Sequence, residues 1–269
     1  MTARFSLFLN NRILCSHLDM PTIFLRSDDV GLSAGTNLGA MEASRTCPNL
    51  GIMATGPALA DAAERLRGHS ELCLGLHFTL NSEWNRLRWG PVSPRERVPS
   101  LVRDDGTFYP NPWKLPSDVT YSVNEVEWEL HAQLEALRNL GLDIRYLDSH
   151  MAVFKTRPEL TDLALRFAAA EGLAYPDQLE GIRHGPYSPD EAENLARWET
   201  ILRELDERPR LAVFHPARPD GVMEQLNLDE PVLSTRAAEC ALLASEAFAR
   251  LLRDRGVRVA RIDALRPPR

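Results

Sequence analysis

Short apolar runs alternate with stretches of helical periodicity along most of the chain, so the order of elements can be read from its hydrophobic positions. Ile23, Phe24 and Leu25 predict a first strand that runs into two adjacent carboxylates, Asp28 and Asp29, and then a turn at Gly31. Beyond it the pattern predicts a helix over 39–45, a strand over 50–54, a helix over 57–67 with proline near its start, and a strand over 72–80. The best-formed helix is expected over 125–140, where Val126, Leu130, Leu134 and Leu137 fall on one face and Gly141 ends the run. A strand over 144–147, a helix over 158–170, a weak strand over 173–175, a helix over 191–207, a strand over 211–214, a helix over 235–253 and a closing strand over 257–262 complete the series. Repeated strand and helix units of this kind predict the α/β class with a mainly parallel sheet.

Two segments break the rhythm. Residues 1–19 contain an apolar stretch, 5–9, that is too short for the core of a signal peptide, is followed by Asn10, Asn11 and Arg12, and has no convincing small-residue cleavage site. They are expected to be neither export signal nor anchor, but a disordered extension ahead of Met20, with 20–269 forming one domain. Segment 81–122 combines Pro91, Pro94, Pro99, Pro110, Pro112 and Pro116 with Trp84, Trp89, Phe108, Tyr109 and Trp113. Two readings stand side by side: an ordered lid or wall whose indoles stack on flat faces such as sugar rings, or a surface insertion whose tryptophans fill a satellite core.

Composition narrows the class. With 269 residues, 44% hydrophobic and 26% charged, the chain can bury one large core, and an α/β barrel of this size commonly forms one domain. A formal charge of −7 offers no basic field for nucleic acid or an anionic membrane, so the expected partner is small and neutral. Cys15, Cys47, Cys73 and Cys240 lack any CxxC spacing, which fits reduced packing thiols in a cytoplasm rather than disulfides or a zinc knuckle.

The chemistry lies at the strand ends. His77 in CLGLHFTL, His150 in IRYLDSH and His215 in LAVFHP each close an apolar run, as Asp28 and Asp29 close the first. In a barrel of parallel strands the C-terminal ends open on one face, so these residues would meet there although they are far apart in sequence. One histidine on an apolar strand is usually a packed core residue; three at the same kind of position, joined by a double aspartate, are hard to ascribe to packing. Asp148 and His150, two residues apart, point to the same side of an extended chain. Two imidazoles and one carboxylate leave open positions on a divalent ion, as a catalytic site requires.

RSDDVGLS, GLHFTL, LDSH and FHPA, in this order and at these spacings, resemble the motifs of the YdjC/ChbG-like carbohydrate deacetylase family, and the resemblance runs from about Thr22 to Ala264. It implies a single-domain, distorted (β/α) TIM-like barrel and hydrolysis of an N-acetyl group from an amino sugar. It further implies a metal held by Asp29, His77 and His150, a general base at Asp28 and a general acid at His215. By its placement, Asp148 is expected either to fix the tautomer of a neighbouring ligand histidine or to keep His215 protonated or in place. The ion implied is magnesium, although imidazole ligands suit zinc, cobalt, nickel or manganese as well. A backbone N–H at Val30 or Gly31 is expected to help hold the oxyanion, and a homodimer is the assembly such proteins often form.

Three departures bear on the substrate. Ala152 and Phe154 stand where the family usually carries two more histidines, which predicts a more apolar groove beyond the metal; Tyr175 and Pro176 stand where it often has an arginine; Val30 replaces a usual phenylalanine. The alternatives to a sugar deacetylase are a metal-dependent amidase or esterase acting on a non-carbohydrate substrate, and a catalytically silent carbohydrate-binding barrel.

Overall fold

The computed structural model describes residues 20–223 and 232–266. The expected N-terminal extension, 1–19, and Cys15 within it lie outside the described residues. Among the described residues, seven strands form one parallel sheet: β1 (Thr22–Val30), β2 (Asn49–Ile52), β3 (Cys73–Phe78), β4 (Ile144–Ser149), β5 (Glu180–Gly181), β6 (Arg210–Phe214) and β7 (Arg258–Val259). The order is β4-β3-β2-β1-β6-β5, with β7 paired to the start of β1. Because β6 already lines β1 from Ile23 to Ser27, β7 must lie on the β2 side, below the point where β2 begins opposite Arg26. The buried Asn49 side chain joins the two, donating to Leu25 O and Ala260 O and accepting from the Ile262 N–H.

Strand alternation sorts side chains to two faces. Ile23 and Leu25, Leu74 and Leu76, and Ala212 and Phe214 point outward into the cores under the helices. Phe24, Cys73, Tyr146 and Leu211 point inward and share one small cluster with Ala260 and Ile262. Tyr146 on β4 and Leu211 on β6 are separated by three strands in the sheet, so the sheet must curl to bring them together. The result is the expected barrel in distorted form, a curled half-barrel whose edges, β4 and β5, do not pair with each other.

Among the described residues, seven α-helices pack on the outside: α1 (Ala34–Ala43), α2 (Leu59–Leu66), α3 (Val123–Asn139), α4 (Pro158–Glu171), α5 (Glu191–Arg203), α6 (Val232–Ala244) and α7 (Glu246–Asp254). The single helix expected over 235–253 is two, broken at Ser245, whose side chain caps α7 by accepting from the Phe248 N–H. The weak strand expected over 173–175 is only one bridge, Tyr146 to Ala174, and the strand of that region forms later, at β5. No helix among the described residues is long and apolar enough to cross a membrane.

Segment 81–122 is ordered. Trp89, Phe108 and Tyr121 are buried in the main core. Carboxylates on α3 hold its backbone: Glu129 accepts from the Val92 and Ser93 N–H groups, and Glu125 from that of Ser100. Most of its aromatics fill core, as the satellite-core reading expects, whereas Trp113 stays 54% exposed.

Candidate metal and acid–base site

The inner face that carries Phe24 and Tyr146 at the bottom carries polar groups at the top. By the same alternation, Arg26 and Asp28 of β1, His77 of β3, Asp148 of β4 with His150 beyond its end, and Val213 of β6 with His215 beyond its end reach the upper interior. There Arg26, Asp28, His77, His150, Val213 and His215 border a cavity of about 530 Å³. Asp29 would point outward on a regular strand. Its φ of 62° and a register shift between Ser27 and Val30 turn it inward beside Asp28. The helix that follows is capped by Ser33, so neither aspartate serves as its cap.

Asp29, His77 and His150 offer three donor atoms within 4.8 Å of one another. Asp29 Oδ1 lies 3.1 Å from His150 Nδ1 and 3.5 Å from His77 Nε2, and those two nitrogens are 3.2 Å apart. Each imidazole is held from behind by a carboxylate: His77 Nδ1 is 2.9 Å from Asp148 Oδ1, and His150 Nε2 is 3.1 Å from both oxygens of Glu83. A histidine whose far N–H is held this way presents its other nitrogen in a fixed direction. Arg236 ion-pairs with Asp29 Oδ2 at 2.7 Å and leaves Oδ1, which has no hydrogen-bond partner, facing the imidazoles. An orphaned buried carboxylate oxygen facing two oriented imidazoles fits a divalent cation. A second donor group, Asp28, His77 and Asp148, is less suited, because the Arg26 guanidinium already stands 2.7 Å from both aspartates and neutralises them.

The electrostatics follow from this crowding. Burial alone would raise Asp29, but Arg236 and His150 hold its carboxyl well below the usual range. Burial opposes protonation of His77, yet Asp28 and Asp148 hold its pKa well above the ordinary value. His150 is raised to about 9, with Glu83 and Asp29 overcoming its burial. His215 goes the other way: burial, with Arg236 and His77 adding to it, lowers its pKa to about 4 against the pull of Asp29 and Asp28.

Two expectations are corrected here. Asp148 does not serve His215, because its oxygens are engaged by His77 and Arg26. The Gly31 N–H is not free for an oxyanion, because it donates to Asn37 Oδ1 at 2.6 Å. The apolar groove is also smaller than expected: Ala152 borders the cavity, but Phe154 is fully buried and stacks on Phe78 in the core.

Four charged residues escaped the sequence reading. Arg26 carried a signal, being a charge two positions before Asp28 on an apolar strand and hence on the same face. Glu83, at the mouth of an irregular segment, and Arg236 and Glu239, on α6, carried none that local periodicity could expose. Glu239 accepts from the His215 backbone N–H at 2.6 Å, and burial pushes its carboxyl up to about 7.

The model of the YdjC-like protein family matches residues 22–254. The chain belongs to this family. Among its relatives, a protein named chitooligosaccharide deacetylase from Salmonella schwarzengrund is 25% identical over 256 residues, covering 88% of this YdjC-like chain and 96% of the relative. A carbohydrate deacetylase from Geobacillus stearothermophilus is 33% identical over 148 residues, 53% of this chain and 56% of the relative. A crystal structure from Enterococcus faecalis, described as a putative cellobiose-phosphate cleavage protein, shares the fold with a TM-score of 0.76 at 22% identity, over 92% of this chain and all of that one.

Proposed function

We propose that the protein is a metal-dependent carbohydrate deacetylase that removes the N-acetyl group from an amino sugar or a short N-acetylated oligosaccharide. The observation that carries this reading is the meeting of Asp29, His77 and His150 around one unpartnered carboxylate oxygen, with Asp28 and His215 beside the same open cavity. The deacetylase names of the relatives supply the substrate class.

A divalent ion held by Asp29, His77 and His150 would supply Lewis acidity toward the amide carbonyl and the attacking water. The protein's own groups do the rest. Asp28 is the base: Arg26 donates to each of its oxygens at 2.7 Å, so the carboxylate is fixed when it takes the water's proton. Arg236 and Arg26 balance the two aspartates, so that four acidic and imidazole groups can stay close without mutual expulsion. His215 is the proton donor to the leaving amine. Burial lowers its pKa to about 4, so the imidazole has to take up a proton from solvent before it can give one to the amine. Magnesium is the ion the family resemblance implies, and the two imidazoles admit zinc, manganese, cobalt or nickel.

The test is acetate release from N,N′-diacetylchitobiose and a panel of N-acetylated sugars, using chelated protein with single divalent ions restored. Release that needs the ion and disappears in Asp28→Asn supports the reading. Tight metal binding without release from any sugar would overturn the substrate class and leave a hydrolase of another amide or ester.

A further inference from the structure

We propose that Trp113 is the platform of a second sugar-ring subsite beside the reaction centre; the proposal rests on the reading of the site as a sugar deacetylase. Trp113 is 54% exposed; Trp128 on α3 is 42% exposed but faces a different cavity, and Trp89 and Trp198 are 5% and 0% exposed. Leaving a large apolar ring in water forgoes burial energy, so such a ring is expected to be mobile or in use. This one is pinned at two points: its indole N–H donates to Met151 O at 2.8 Å, and its backbone N–H donates to Asn111 Oδ1 at 2.9 Å. An indole fixed in place while more than half exposed has already lost the entropy that binding would cost.

The anchoring carbonyl ties the ring to the site. Met151 follows the proposed ligand His150 directly and borders the site cavity together with Ala152 and Lys155. On the far side of the same short segment, Thr156 borders a second cavity of about 210 Å³ with Pro112, Trp113, Leu115, Tyr121 and Arg157. The two cavities share no lining residue, but adjacent positions of one segment border them: Met151, Ala152 and Lys155 the first, Thr156 and Arg157 the second. The second is less than half the volume of the first, which suits one ring rather than a chain. A pyranose ring offers what it takes: an apolar face of C–H groups for the indole, and edge hydroxyls for Arg157, one of whose N–H groups is held by Tyr121 O at 2.9 Å.

The consequence is a preference for substrates of two or more rings, set by Trp113. The experiment measures kcat/KM for acetate release from N-acetylated chains of one to four sugar units in wild type, Trp113→Ala and Trp113→Phe, with direct binding of the tetramer by calorimetry in an Asp28→Asn background. The expected result is a ratio of tetramer to monomer kcat/KM that falls about fivefold to tenfold in Trp113→Ala, largely through KM, and is mostly restored in Trp113→Phe. Tetramer binding should weaken by the same factor. An unchanged ratio, or an equal loss on monomer and tetramer, overturns the subsite, because the second result would mean that Trp113 acts only by bracing Met151. If wild type releases no acetate from any sugar, the deacetylase reading fails, and calorimetry still decides the subsite: tetramer binding that ignores Trp113→Ala refutes it.

Discussion

Arg26 and Asp28 face each other across two positions of one strand through two parallel hydrogen bonds, each 2.7 Å long, with both side chains almost wholly buried. The same guanidinium reaches Asp148 at 2.7 Å, and burial of its charge is outweighed by Asp148, Asp28 and Asp177. Arg26 therefore binds the proposed base to the carboxylate that orients His77.

Removing the cation should be expensive. Arg26→Met leaves buried carboxylates unpaired and is expected to destabilise the fold by about 3–5 kcal/mol. Arg26→Lys keeps a charge but loses the two-pronged contact. It should retain most of the stability and lose about tenfold or more in kcat. Thermal unfolding and acetate release measured on both variants check this, and Arg26→Lys with unchanged kcat would show that the fork geometry does not matter.

The ligand and base roles should separate. Asp29→Ala and His77→Ala should lose metal binding and turnover together, whereas Asp28→Asn should keep the metal and lose turnover by at least two orders of magnitude. Calorimetric metal titration of the three variants checks the assignment. Retained turnover in Asp28→Asn would remove the general base.

The metal-free protein should lose stability on the alkaline side. His150 has a folded-state pKa of about 9 against 6.5 ordinarily, so the folded state holds its proton more tightly than the unfolded one. That stabilisation is complete below about pH 6.5 and disappears as the pH rises through about 9; His77, also raised, acts in the same direction. His215, lowered to about 4, has the opposite sign, and its contribution is lost as the pH falls from 6.5 through about 4. Metal must displace the protons of both imidazoles, so its affinity should rise across the alkaline interval. Unfolding temperatures of chelated and metal-loaded protein from pH 4 to 9.5 test this; a chelated protein whose Tm does not fall between pH 6.5 and 9 would contradict it.

Two glycines should respond differently to the same change. A Cβ on Gly51 would stand 2.9 Å from Asp28 Oδ1 and 3.4 Å from His77 Cβ, and one on Gly75 would overlap the Tyr146 ring at 2.2 Å. Gly51→Ala is expected to lower activity by more than its effect on stability, since it displaces the base. Gly75→Ala overpacks the inner core and should destabilise by about 1–3 kcal/mol or more. The ratio of activity loss to Tm loss in the two variants tests the distinction.

Much of this site was legible because strand alternation and the parallel topology are local rules with a long-range result. His77, His150 and His215 end apolar runs, and parallel strands bring such ends together whatever the loops between them. What stayed hidden depended on contacts that no period records. Glu83 reaches His150 from an irregular segment, Arg236 reaches Asp29 across 207 positions, and the inward turn of Asp29 depends on a left-handed residue that the sequence does not mark as glycine. The break at Ser245 was hidden for a different reason. A helical period runs through it, and only the side-chain cap shows that one helix ends and another begins.

The placement of β1 has a kinetic side. β1 pairs with three strands, β2, β6 and β7, so the strand that leads into Asp28 and Asp29 can open only if the middle of the sheet is dismantled. His150 stands at the end of β4, an outer strand of the sheet, held by a Glu83 side chain that is 20% exposed. An ion bound here would be gripped on one side by the slowest-opening part of the molecule and on the other by a faster one. Its dissociation rate would then be governed by excursions of the β4 end and not by unfolding, so exchange of the bound ion should proceed while the central amide protons remain protected.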